Sequence, residues 1–582
     1  MSKTPNYDTK IKIILDSLQP GERTCPVTGE KWTVTEEEIG WYKHFNVPPS
    51  DILPLARRHW LNGFNAGLNI WWNKHALTGE RLLSYIHPDN KIRPIPDKEW
   101  HTYDWGEKFF GQSESEKPFL PQMRELVFKI PSPSLRIFGE AKNSIGVGIV
   151  SAEDCFMVFG GIINVKRCRY DYVVKDSEEV MDSYTTRFSN ESLALAECER
   201  LFNCVGAIQC FDCHACSFIF DCRNCESCFL STNLRNKKYV FKNEQLTKEQ
   251  YEEKMKAIDL GSYRVYKSLW QDFILMLGER SIWPENFNTN CENCAGESLR
   301  KCLRCCDCYS STEATDCYQG LMTQAGAEQC AYFSGLVKVG EAYMCSGVTN
   351  SQQVKFSCSL TQCFNLEYCT VCYNCENCFG CVGLVNKKFC ILNKQYTEED
   401  YWAEIDKIKC AMLERGEYGR FLPGDFSPAG IEFSADIYFD YTPEELKYFE
   451  AASFDPCHGA VVSEIATTET ISIKPEDLPD SIDDTDETKH IGQAIYDANL
   501  QRLFSIRKED YEFYRRHHLP LPREHFISRV KKIARMCNVT FTRHQIKCAK
   551  CQAEIWVADN PTFKDHKIYC QTCYLKFLEE NN

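Results

Sequence analysis

Cys222-Arg-Asn-Cys225-Glu-Ser-Cys228-Phe229, leading to Asn236-Lys-Lys-Tyr239, matches Cys372-Tyr-Asn-Cys375-Glu-Asn-Cys378-Phe379, leading to Asn386-Lys-Lys-Phe389, at a fixed offset of 150. Upstream of the first string, cysteine recurs every sixth residue at Cys198, Cys204, Cys210, Cys216, Cys222 and Cys228. A related series returns at Cys363, Cys369, Cys375 and Cys381. Regular spacing with Gly, Ser and Asn in between suits a β-solenoid in which compact thiols stack inward. Both tracts leave through a matching exit, a strand and turn followed by Thr247-Lys-Glu-Gln250 or Thr397-Glu-Glu-Asp400, which reads as a capped helix.

A second duplication relates the two ends. Trp32-Thr-Val through Trp41 to Val47-Pro aligns with Phe504-Ser-Ile through Phe513 to Leu519-Pro at an offset of 472. Each reads as a short strand and then a helix, capped near Thr35 or Ser505 and stopped by proline. One further residue of shift sets His75-Ala-Leu-Thr78 opposite Cys548-Ala-Lys-Cys551. The N-terminal copy therefore looks like the C-terminal module without its ligands, with Cys25 left alone.

These patterns predict an α+β protein: two tandem Cys-rich β-solenoid-like modules flanked by homologous small α/β modules, the last a zinc ribbon. The expected divisions are an N-terminal module at 1–135, repeat module A with its exit helix at 136–260 and a helical connector at 261–290. Repeat module B with its exit helix follows at 291–410, then a short-strand and turn region at 411–462, an acidic linker at 463–490, and a basic helix plus ribbon at 491–582.

Composition narrows the function. The 582 residues include 35 cysteines, with 43% hydrophobic residues, which is ample for packed cores. No apolar leader opens the chain and no apolar run reaches membrane-spanning length, so a cytoplasmic protein with no membrane partner is expected. In a reducing compartment, clustered Cys-x-x-Cys reads as metal ligation or redox chemistry. The net charge of −15 is unevenly spread: Arg502–Lys550 is strongly basic, and 463–490 holds nine acidic residues.

Cys548-Ala-Lys-Cys551 and Cys570-Gln-Thr-Cys573 carry the strongest chemistry, because two such pairs can close a tetrahedral, structural zinc site. Cys291, Cys294, Cys302 and Cys305 form a second candidate set, with a shorter loop between the pairs. Cys222, Cys225 and Cys228, with Cys372, Cys375, Cys378 and Cys381, form a third. The Cys-Pro that completes a ferredoxin run follows neither copy, so an iron–sulfur cluster is disfavoured, and zinc ligation and plain core packing of the thiols stand as the two expectations. Arg515, Arg516, Arg523, Arg529, Lys531, Lys532 and Arg535 lie beside aromatics, a mix suited to RNA, DNA or an anionic protein.

No phosphate loop, dinucleotide fingerprint, zinc-protease motif or nucleophile elbow is present, so neither an enzyme nor a small-molecule substrate is expected. The primary expectation is a non-enzymatic, zinc-stabilised scaffold that binds another macromolecule. A nucleic-acid- or ribosome-associated zinc protein and an iron–sulfur or thiol redox protein are the alternatives.

The chain also resembles a family of cysteine-rich, zinc-ribbon-containing proteins of ultrasmall candidate-phylum bacteria. The strings that carry this are Glu512-Phe-Tyr-Arg-Arg516 through Leu519-Pro-Leu-Pro-Arg523, Lys547-Cys-Ala-Lys-Cys551, Tyr569-Cys-Gln-Thr-Cys-Tyr574, and the exit Asn386–Tyr401. The resemblance implies the architecture, a bound metal and a bacterial cytoplasm, and no activity. Relatives often carry extra Cys pairs in the N-terminal module, where this chain has Leu53-Pro54 and His75-Ala-Leu-Thr78, so it implies no zinc there.

Overall fold

A computed structural model describes residues 2–323, 326–335, 338–350, 352–461 and 472–582. It is an α+β protein whose chain divides into two units. One comprises Met1–Asn69, Asn73–Leu135 and Asn288–Phe454; the other comprises Ile70–Trp72, Arg136–Phe287 and Asp455–Asn582. Each unit joins one cysteine tract to one terminal module, and the module comes from the far side of the other tract in sequence. None of the described helices is long and apolar enough to cross a membrane.

In the second unit, strands from Ser151–Glu153 to Lys238–Phe241 pair in parallel, and Glu244–Gln245 closes the ladder antiparallel. Tyr172 pairs with Tyr184, Leu193 with Val205, Val205 with Ser217, and Ser217 with Phe229, each twelve residues on. The six-residue cysteine spacing is therefore half of the ladder register. The backbone supplies the reason. Every third residue is left-handed, as at Arg200, Asn203, Gly206, Gln209, Asp212, Ala215, Phe218, Asp221 and Asn224. Each such residue bends the strand, so twelve residues make four short sides. Asn, Asp and Gly accept this backbone at low cost; at Phe218 it costs about 1–2 kcal/mol.

The residue after each bend points inward. Cys204, Ala207, Cys210, Cys213, Cys216, Ile219, Cys222, Cys225 and Cys228 are all buried in one core. Such thiols are not merely small hydrophobes. Cys210 Sγ has the carbonyls of Ile208 at 3.3 Å and Ile219 at 3.5 Å as acceptors for its single S–H, and it accepts from Cys222 N at 3.4 Å. An interior of thiols thereby satisfies its own polar atoms.

The first unit repeats this design. Gly340 pairs with Gln352, Gln352 with Phe364, Phe364 with Glu376 and Glu376 with Lys388, again twelve apart and parallel. On the outside, Tyr332, Tyr343, Phe356, Tyr368 and Phe379 contact one another in sequence, mostly edge-on or tilted, with centroids 4.9–5.6 Å apart. The N-terminal module covers this stripe. The helix Glu36–Phe45, capped by Thr35, sets Tyr42 6.4 Å from Tyr332 and Phe45 5.2 Å from Tyr343. Arg57, from the helix Pro54–Asn62, lies 4.1 Å over the Tyr332 ring while pairing with Glu38 at 2.8 Å.

Both exits take the expected form. Thr247 and Gln250 make a reciprocal capping box at the helix Lys248–Lys256, and Thr397 caps Glu398–Glu414. Three expectations need correction. The 411–454 stretch holds short helices in place of strands; Pro443 starts one of them, with a Thr442–Glu445 capping box. The C-terminal counterpart of the Thr35 cap is Arg507, whose N–H donates to Asp510 at 3.0 Å, rather than Ser505.

The acidic segment is the third correction. Its residues 463–471 lie outside the described ones, but 472–490 is anchored rather than a linker. Asp480 accepts from Ser262 Oγ at 2.7 Å and Arg264 N at 3.0 Å, satisfying open N–H groups at the start of the connector helix Tyr263–Leu275. Leu478 and Ile482 are buried beside it.

Candidate metal centre

The C-terminal ribbon begins with the hairpin Arg543–Lys547 and Glu554–Ala558. Its turn folds tightly because Gln552 is left-handed, with φ 64°, while Gln552 N donates to Cys548 O at 3.0 Å and Cys548 N donates to Ala553 O at 2.8 Å. The second Cys pair enters through the strand Lys567–Tyr569, where Ile568 O accepts from Ala549 N at 2.9 Å. Cys570 then caps the helix Gln571–Asn581, which places Cys573 in its first turn. A helix start favours anionic sulfur there.

Cys548, Cys551, Cys570 and Cys573 bring their sulfur atoms within 4.8 Å of one another, and theirs is the one such group found among the described residues. Cys551 Sγ and Cys570 Sγ are 3.7 Å apart. Zinc–sulfur bonds of about 2.3 Å set the edge of a tetrahedron at about 3.8 Å, so the set fits this ion. Burial opposes ionisation of Cys548, but N–H donors from Cys551, Cys570 and Lys550 outweigh it and bring the thiol down to about 6. Desolvation and the neighbouring thiols push Cys573 up to about 12. Cys548 is thus the readier thiolate, while Cys573 must shed its proton to solvent when a metal binds. Four protein ligands leave no open coordination position.

The N-terminal module holds a turn of the same hydrogen-bond pattern without the cysteines. His75 N donates to Glu80 O at 2.8 Å, Gly79 N donates to His75 O at 3.0 Å, and Gly79 has φ 77°. His75 Nδ1 accepts from Leu77 N at 3.1 Å and Thr78 N at 3.2 Å, the role played by Cys548 Sγ in the ribbon. Ala76 N donates to Pro94 O as Ala549 N does to Ile568 O, so Pro96 and Glu99 stand where Cys570 and Cys573 stand. His75 Nε2 lies 2.9 Å from Glu99 Oε2. With Nδ1 accepting twice, the ring proton sits on Nε2 and faces the carboxylate. A direct side-chain contact occupies the place that the thiols hold at the C-terminus.

Reading the sequence missed two further turns of this type. Asp497 Oδ1 accepts from Asn499 N at 2.9 Å and Leu500 N at 3.3 Å, with Gln501 left-handed. Its counterpart is Cys25, where Gly29 N donates to Cys25 O at 2.9 Å and Cys25 N donates to Glu30 O at 2.8 Å. The 472-residue offset pairs Cys25 with Asp497, a signal that was visible in the sequence.

Cys291, Cys294, Cys302 and Cys305 come together as two stacked pairs at the start of the first unit's ladder. Their thiols donate to the carbonyls of Thr289, Glu292, Arg300 and Leu303 at 3.3–3.5 Å. Cys222, Cys225 and Cys228, and Cys372, Cys375, Cys378 and Cys381, are inward-facing and buried in the two ladder cores.

Among the basic residues of the C-terminal module, Arg523 and Arg529 pack inward, while Arg515, Arg516 and Lys532 stay more than half exposed. Arg529 donates from Nε and Nη2 to Asp182 at 2.7 and 2.8 Å, and from Nη1 to Glu524 O at 2.6 Å. Arg516 pairs with Glu179 at 2.7 Å and Lys532 with Glu524 at 2.5 Å. Arg523 stacks 4.0 Å over Tyr263 and donates to Leu478 O at 3.0 Å. Arg515 is exposed, 4.0 Å from Glu487. Lys531 and Arg535 are half-buried. Ladder carboxylates 330 or more residues away could not be read as partners of a basic helix. No protein-family model matches the chain, and no curated protein matches it.

Proposed function

We propose that the chain is a non-enzymatic scaffold of two β-solenoid-like bodies with homologous terminal modules, stabilised by structural zinc, that binds another macromolecule. The closed Cys548/Cys551/Cys570/Cys573 set carries this reading, because a metal held by four thiolates is removed from substrate chemistry. The twelve-residue register and four inward positions per turn support the solenoid. The matching turns at His75 and Cys548 support related terminal modules.

The exposed face of the ribbon hairpin is the partner surface. Trp556 is 57% exposed, the Arg543 guanidinium lies 5.9 Å from its ring centroid, and Lys547 and Lys550 are exposed nearby. An aromatic platform with cations favours single-stranded nucleic acid as the second reading.

Metal analysis and an absorbance spectrum of the purified protein test the scaffold. One zinc per chain and a lower melting temperature on chelation are expected; iron with visible absorbance sinks the reading. A Trp556→Ala variant that binds single-stranded RNA as well as the parent, at equal salt, removes the second reading.

A further inference from the structure

A cleft of about 730 Å3 opens within the second unit, between the opening strands of its ladder and the helix Lys508–Arg516. Its size suits a small molecule. On the ladder side most charges are already matched. Glu179 is clamped by Arg167 at 2.7 Å and by Arg516 at 2.7 Å, and Asp154 accepts from Asn143 Nδ2 at 2.8 Å.

Two guanidinium groups that line the cleft are not matched. Arg169 is only 9% exposed, yet its side chain makes no hydrogen bond among the described residues. Its ion-pair partner, Asp510 Oδ1, stands 3.7 Å away, beyond hydrogen-bond reach. The other oxygen of Asp510 is engaged by Tyr170 OH at 2.6 Å and Arg507 N at 3.0 Å. The Arg507 guanidinium lies 4.1 Å from the Phe156 ring centroid and 3.7 Å from Glu509, and it too makes no hydrogen bond among the described residues. Buried donors without acceptors are costly, so both groups are poised for an acceptor that enters the cleft.

Helix capping does not explain Arg507. At the offset of 472 its place is taken by Thr35, which starts the matching helix Glu36–Phe45 with no guanidinium. The helix side of the cleft carries the opposite charge. Glu512, one turn beyond Glu509, is exposed and makes no ion pair among the described residues. Two planar forks lining one cleft match the oxygens of a carboxylate. Glu509 and Glu512 disfavour a multiply charged phosphate and attract an amine.

We infer that this cleft binds a free amino acid or dipeptide, its carboxylate held by Arg169 and Arg507 and its ammonium group facing Glu512. The ligand is held and not transformed, and its binding depends neither on the ribbon metal nor on the scaffold reading.

The full-length, zinc-loaded chain is titrated with the proteinogenic L-amino acids and with the glycyl dipeptides, by ligand-observed NMR and then calorimetry. At least one is expected to bind with a dissociation constant below about 1 mM. Its N-acetyl derivative, which lacks the ammonium, binds about tenfold more weakly or worse. Arg169→Gln, Arg507→Thr and Glu512→Gln each weaken binding by a similar factor, while Arg515→Gln, outside the cleft, leaves it unchanged. Where Arg169→Gln fails to fold, Arg507→Thr decides, because threonine starts the matching helix at the N-terminus. The proposal is overturned if no probe binds below about 1 mM. It is equally overturned if inorganic phosphate or the N-acetyl derivative binds as tightly as the best probe, or if folded Arg507→Thr protein keeps full affinity.

Discussion

Arg529 and Asp182, 347 residues apart, form a two-bond ion pair at 2.7 and 2.8 Å with their side chains 15% and 4% exposed. It ties the C-terminal helix Phe526–Ala534 to the ladder within the second unit. Removing one member of a buried pair leaves a desolvated charge, so Arg529→Ala is expected to cost about 3–5 kcal/mol in denaturant unfolding. Arg529→Lys recovers part of that, since one ammonium replaces a two-pronged fork. A loss within experimental error means that the pair is not structural.

Zinc removal is expected to unfold the ribbon locally and leave both ladders wound. Far-ultraviolet dichroism should change little, while hydrogen exchange rises across 543–581. Cys551→Ser should give the same pattern without chelator. Loss of all β signal on chelation contradicts it.

In metal-free protein, pH adds a signed test. Cys548 is depressed to about 6 from its ordinary value near 9, so between these values the unfolded state binds the extra proton. Its contribution to stability is therefore present above pH 9 and lost as pH falls through about 6. Cys573, raised to about 12, acts oppositely above pH 9. Thiolate ultraviolet absorbance should reveal one sulfur titrating near pH 6, and Cys548→Ser should abolish that step.

If the His75 turn is a zinc knuckle without zinc, four substitutions should rebuild one. His75→Cys, Thr78→Cys, Pro96→Cys and Glu99→Cys together are expected to raise zinc from one to two per chain. Unchanged stoichiometry in a folded variant refutes the equivalence. His75→Ala alone should destabilise the parent by about 1–3 kcal/mol, because two N–H groups lose their acceptor.

Gly67 has no room for a side chain. A Cβ there would lie 1.7 Å from Phe433 O, a main-chain atom that cannot swing away. Gly67→Ala is expected to cost about 3 kcal/mol or more, read as a lower denaturation midpoint.

Much of this molecule was legible from local pattern. The ribbon ligands stand at fixed spacings within 26 residues, and a tight turn plus a helix start bring them together wherever the chain goes. The exit helices were equally plain, since a Thr followed three residues later by Gln or Asp caps its own helix. The helices of 411–454 are hidden in the sequence because proline also marks turns, whereas Pro443 occupies the first turn of a helix, where its missing N–H does no harm. The roles of the basic residues were hidden for another reason. Arg529 and Arg516 meet acids that arrive from another part of the chain, and charge has no periodicity that reveals a distant partner.

By itself the sequence determined the chemistry available: where thiols recur, which of them form close pairs, and which turns and caps the backbone takes. These depend on interactions over a few residues. Tertiary structure alone decided that six-residue spacing means half of a twelve-residue turn, because the left-handed bend at every third residue appears only once the strands stack. It also decided that Arg523 and Arg529 turn inward to their partners and that the outer stripe of the first ladder is covered by the N-terminal module. Those outcomes rest on burial and on pairing between residues hundreds of positions apart.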